Sequence, residues 1–195
     1  MGAGAPLALT GCATLLGAGN GSAPTVYRLT PKPIFPSKIS RVDWVLIVAE
    51  PAAEGTLDSD QIAVLAQGRV SRLAGVIWSD RATAMLQFVI VQAFQSSSRL
   101  PAVGTDRDDL PGRYLLQSTL NAFQLEPDGD GYAAHVDLRV LLLRLPGREI
   151  AGAHGFSRRV GTPEASNAAA VAAFNAAVGG VLEDLVAWTL TTGRR

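Results

Sequence analysis

Several things are scarce in this chain of 195 residues, and each scarcity removes a class of function. There is one cysteine, Cys12, so no disulfide can form within the chain. Histidine is limited to His135 and His154, and a zinc site would need carboxylates to complete it; no metal or other cofactor is expected. An excess of one charge is missing as well. The 17 basic residues balance 17 acidic ones, which leaves no global field to steer the protein to nucleic acid, and none is expected as a partner. Long hydrophobic runs are also lacking: Val45 to Ala49 and Val140 to Leu143 are strand-length, far short of the roughly 18–20 apolar residues of a membrane-spanning helix. Without a Walker loop or a GxGxxG motif, nucleotide binding has no support.

What is present is a chain that should fold. Hydrophobic residues make up 48% and charged ones 17%, enough burial to offset chain entropy in one domain. Residues 1–11, MGAGAPLALTG, are small, apolar and uncharged, the look of a signal peptide h-region running into a small-residue cleavage site. The positive n-region that normally precedes such a run is not among them. Residues 12–40 are rich in Gly, Ala, Ser, Pro and Thr, the composition of a flexible tether, with a short edge strand at Thr25 to Leu29 inside it. Residues 41–195 are then the single folded domain.

Within that domain the run WVLIVA, Trp44 to Ala49, predicts a central strand, and Gln61 to Ala66 and Leu73 to Trp78 two further extended pieces. Ser79-Asp80 is positioned to cap a helix whose apolar residues Ala82, Met85, Leu86, Val89, Ile90, Ala93 and Phe94 follow helical spacing. Val103 to Gly112 reads as a polar loop. Arg113 to Leu125, Tyr132 to Leu145 and Arg148 to Val160, joined at Pro127 to Gly131 and at Pro146-Gly147, read as a three-stranded meander. Thr162-Pro163-Glu164 has the form of a helix start, ahead of a stripe from Val171 to Trp188. The expected fold class is α+β, a mostly antiparallel sheet with two main helices packed on one face.

The chemistry-bearing clusters are weak. Asp106, Asp108 and Asp109 lack the glycine and glutamate spacing of a calcium loop, and Asp128 to Gly131 suits a hairpin turn. A hydrolase would rest on His135 or His154, yet neither has a serine elbow or carboxylate signature. Ser157-Arg158-Arg159 could clamp an anion, but successive strand side chains point to opposite faces. Cys12 stands apart: Leu9-Thr10-Gly11-Cys12 matches the bacterial lipobox, in which the cysteine is cleaved free and acylated. Each buried methylene contributes on the order of 0.8 kcal/mol, so a multiply acylated cysteine holds a protein on a membrane without a spanning helix. Ala13 after the cysteine resembles the outer-membrane default of such lipoproteins.

Taken together, YRL (Tyr27 to Leu29), IVAEP (Ile47 to Pro51), LDSDQIAV (Leu57 to Val64), LAGVIWSDR (Leu73 to Arg81), VQAF (Val91 to Phe94) and AAFNAAVGGVLEDLVAWT (Ala172 to Thr189) resemble the ABC-type transport auxiliary lipoproteins, the family that includes PqiC. The resemblance implies a non-enzymatic, lipid-anchored accessory subunit on the periplasmic face of the outer membrane. Its partner would be the MCE-domain substrate-binding protein of an ABC transporter that moves phospholipids, and relatives assemble into homo-oligomeric rings. Cys12 is the one functional residue the resemblance carries over. The other reading is a stand-alone periplasmic module that binds a lipid or another hydrophobic ligand.

Overall fold

The computed structural model describes residues 1, 23–36, 39–162 and 166–194; Cys12 lies outside them, as do Pro163 and Glu164. The elements run β1 (Thr25–Tyr27), β2 (Leu46–Val48), β3 (Ala52–Ala53), β4 (Gln61–Ala66), β5 (Arg69–Trp78), α1 (Ala82–Ser97), β6 (Val103–Thr105), β7 (Tyr114–Asp128), β8 (Gly131–Arg144), β9 (Glu149–Gly161) and α2 (Asn167–Thr192).

All nine strands join one sheet around β7. On one side β7 pairs with β8 and β8 with β9, both antiparallel, which is the expected meander. Along its other side β7 is met in succession by β2, β3 and β4, all parallel to it, and β6 adds to β2, again parallel. The sheet is therefore mixed, not simply antiparallel. The expectation of antiparallel order came from the hairpin links of the second half; in the first half the chain advances along β7 and turns back only between β4 and β5. That turn uses Gln67 (φ 51°) and Gly68 (φ 73°), the two positive φ values of a tight hairpin, which lets β5 start at Arg69.

Leu46 and Val48 of β2 enter the main core, and Ile47 joins a small cluster with Leu115 and Leu143 on the opposite side. Burial on both faces is why this strand reads as an unbroken apolar run. On β8, Ala134, Val136, Leu138, Val140 and Leu142 turn toward the helices, while His135, Asp137 and Arg139 turn away. Trp78, Phe123 and Phe174 meet with ring centroids 4.8–5.7 Å apart, joining β5, β7 and α2.

Neither helix starts on its expected cap. For α1 the N-cap position falls on Arg81; Asp80 accepts a hydrogen bond from the Arg81 N–H instead, and the first-turn N–H of Ala82 donates to the Ser59 carbonyl. For α2 the cap is Ser166, whose hydroxyl accepts from the Ala169 N–H at 3.1 Å. Thr162 lies ahead of that cap, and its N–H and hydroxyl both donate to the Tyr132 carbonyl, continuing the β8–β9 ladder. By length and composition α2 could cross a membrane. It is apolar around most of its girth because it is enclosed, with Phe174, Ala177, Leu185, Val186 and Leu190 all buried.

Residues 29–36, assigned by composition to the tether, lie against the body. Leu29 is buried, the Thr30 N–H donates to Asn175 Oδ1 and the Ile34 N–H to Glu183 Oε1, each at 2.7 Å. Pro31 and Pro33 line a cleft together with Val89 and Ala93 of α1 and Leu182 of α2. Proline suits this strap, since it brings no N–H that would need a partner.

Candidate functional site

Three surfaces bring polar or apolar groups together. The first lies at the start of α1. Arg81 donates to both oxygens of Asp58 at 2.6–2.8 Å and to Glu50 Oε1 at 2.7 Å, and these bonds raise its already high pKa. Thr83 Oγ1 lies 2.9 Å from Glu50 and 2.7 Å from Asp58, and Arg107 reaches Glu50 Oε2 at 3.2 Å. Here the expected solvated aspartate loop acquires a structure: Asp106 accepts from Gln87, and Asp108 accepts from the Thr105 N–H and hydroxyl, which hold its carboxyl below the ordinary value. Among the described residues no three ligating side chains converge as a metal site. Asp128 to Gly131 forms the β7–β8 turn, with Gly129 at φ 58°.

The second surface is a cross-strand row on the open face of the sheet. His135 Nδ1 lies 2.7 Å from Glu126 Oε1, and His135 Nε2 lies 3.1 Å from Ser157 Oγ. Burial pushes the Glu126 carboxyl up, but hydrogen bonds from His135 and Gln124 and the charges of His135 and Arg159 outweigh it and hold the pKa low. The order serine, histidine, carboxylate imitates a nucleophilic triad. Sequence reasoning missed it because Glu126 and Ser157 meet His135 only through strand register. A nucleophile also needs donors for the developing oxyanion. Ser157 stands exposed in mid-strand, and neither it nor His135 lines the groove between β1 and α1 or the cleft at the end of α2.

The Ser157-Arg158-Arg159 trio is split between faces: Arg158 pairs with Asp184 of α2, and Arg159 with Glu126 on the open side. His154 is on the helix side, stacked on Trp188 at 5.9 Å and edge-on to Phe156 at 4.8 Å. Trp188 thus belongs to the core margin, and Gly152 lets it approach, since a Cβ there would come within 2.7 Å of Thr192 and 3.1 Å of Trp188.

The third surface is a groove of about 700 Å³ between edge strand β1 and α1. Val26, Leu29, Met85, Phe88 and Val89 give it apolar walls, and Arg28, Asp80 and buried Gln87 are polar members of the lining. Phe88 is 58% exposed and Val26 57%, unusual for large apolar side chains.

Comparison with known proteins agrees with this architecture. A crystal structure of a Xanthomonas campestris protein of family-model DUF330 is 30% identical, with a TM-score of 0.81 over 87% of this chain and 97% of that one. An uncharacterised protein at 15% identity superposes with a TM-score of 0.64 over 86% and 97%. A hypothetical protein from Chlamydia trachomatis, at 9% identity and a TM-score of 0.50 over 78% and 96%, shares the fold alone. No curated protein matches. The family model of the ABC-type transport auxiliary lipoprotein component matches residues 27–186, from the last residue of β1 into the last turns of α2, and the chain belongs to that family.

Proposed function

We propose that this auxiliary component is a non-catalytic lipoprotein, acylated on Cys12 and held at the periplasmic face of the outer membrane, that docks the MCE-domain substrate-binding protein of a phospholipid-transporting ABC system. The observation that carries the reading is the family match over residues 27–186, set behind a lipobox at Leu9 to Cys12. The Ser157–His135–Glu126 row supports a non-catalytic reading by its setting on an open sheet face, with its serine exposed. Self-association into a homo-oligomeric ring is part of the proposal, and β9, a 13-residue edge strand, offers a main-chain edge for it.

Metabolic labelling with a palmitate analogue tests the anchor: the full-length precursor should label, and Cys12→Ala should not. Crosslinking followed by pull-down should recover an MCE-domain protein, and recovering none would sink the docking role. The second reading, a stand-alone module for a lipid or other hydrophobic ligand, is favoured by the groove beside Phe88. Native mass spectrometry separates the two, since a carrier copurifies with lipid in stoichiometric amount.

A further inference from the structure

At the end of the sheet where β2 and β7 begin, and where α2 stops, lies a cleft of about 600 Å³ lined by Arg41, Val42, Asp43, Trp44, Arg113 and Arg194, with Gly193 at its base. We infer that this cleft is a binding site for a phosphate-bearing anion, held by the guanidinium groups of Arg41, Arg113 and Arg194.

The arginines arrive from three separate segments. Arg41 lies ahead of β2, where the Val42 N–H is fixed to the Arg99 carbonyl at 2.9 Å. Arg113 precedes β7, with its own N–H held by the Val45 carbonyl at 3.0 Å. Arg194 follows the last turn of α2, and its guanidinium donates to the Ser40 carbonyl. The backbones are thus positioned, while the side chains of Arg41 and Arg113 have no hydrogen-bond or ion-pair partner among the described residues. Three cations against Asp43 is a local excess in a chain whose formal charge is zero.

The end of a helix usually works against an anion, because its last carbonyls point outward. Here one of them is occupied: the Tyr114 hydroxyl donates to the Gly193 carbonyl at 3.0 Å, and Trp44 packs edge-on against Tyr114 at 4.8 Å. The Trp44 indole N–H is buried without a partner among the described residues, and Asp43 supplies the carboxylate in the lining. Three guanidinium groups lining one cleft present more donors than one planar carboxylate accepts. A phosphate spreads its acceptor oxygens over a tetrahedron and matches them. Both free phosphate and the headgroup of an anionic phospholipid supply that chemistry.

Calorimetric titration of the full chain in nonionic detergent distinguishes the sources, using inorganic phosphate, dihexanoyl phosphatidic acid and, as a dicarboxylate, succinate. Saturable phosphate or phosphatidic acid binding is expected, weakened about tenfold or more in Arg41→Gln/Arg113→Gln. It should be unchanged in Arg69→Gln/Arg72→Gln, whose exposed arginines lie on β5. Equal affinity for phosphate and phosphatidic acid assigns the site to free phosphate, and tighter phosphatidic acid binding assigns it to a headgroup; either keeps the site. Absence of saturable binding, equal binding of succinate, or the same loss in both double variants would overturn it. The altered side chains are exposed, so thermal melting should confirm that both variants fold as the parent does.

Discussion

The meander with α2 and the strap with β1 are held to the same core by different means. β7, β8 and β9 are 13–15 residues long and pair along nearly their whole length, and α2 packs on them with Phe174 and Leu185 fully enclosed. β1 pairs over three residues with β5, and the strap after it is held by buried Leu29, by half-buried Phe35 against the core and by two N–H groups that donate to side chains of α2. Long ladders bury many groups cooperatively, whereas a strap held at a few points can open without unfolding the rest.

The contrast is tested most severely by cavities. Phe174→Ala should cost about 3–5 kcal/mol in urea unfolding, while Leu29→Ala on the strap should fall at or below the low end of the usual 2–5 kcal/mol range. Equal losses would show that the strap is as integral as the meander. Next in size is Gly152→Val, where a branched side chain must displace Thr192 and Trp188; about 1–3 kcal/mol is expected, with weakened near-ultraviolet dichroism from Trp188.

The pH dependence of the open-face row ranks third. The folded Glu126 carboxyl sits below its ordinary 4.5, so its stabilisation is present above that value and is lost as pH falls through the folded pKa. Glu126→Gln should therefore flatten the acid limb of the stability curve below 4.5, and an unaltered limb would mean the row contributes nothing. The smallest effect belongs to Asn175→Ala, which frees the Thr30 N–H into solvent. Global stability should drop by under about 1 kcal/mol, while amide exchange at Thr30 accelerates and exchange in β8 does not.

The same contrast explains what could be read from the sequence. In the meander, alternation along Tyr132 to Leu145 placed His135, Asp137 and Arg139 on one face, and turn residues marked both hairpins, because both signals are local. Helical spacing likewise located α1 and α2. Parallel pairing of β2, β3 and β4 along β7 carries no local signature, and β3, two alanines long, has no pattern to detect. The docking of Pro31 and Pro33 was hidden for another reason: proline marks extended backbone equally in a free linker and in a docked strap. At the candidate surfaces, Glu126 and Ser157 join His135 only by register, and the arginine cleft gathers residues from three distant segments. Cys12, which its neighbours mark as a lipobox match, lies outside the described residues.

The strap also has a mechanical meaning. Any tension arriving from the residues ahead of Thr25 is borne first by the three ladder pairs to β5, the last of them between Tyr27 and Trp78 of the aromatic cluster, and then by buried Leu29, Asn175 and Glu183. These holds are arranged in series and can yield one after another, dissipating a pull in small steps. A body tugged by its leading end would release β1 and the strap while the β7–β9 meander stayed whole.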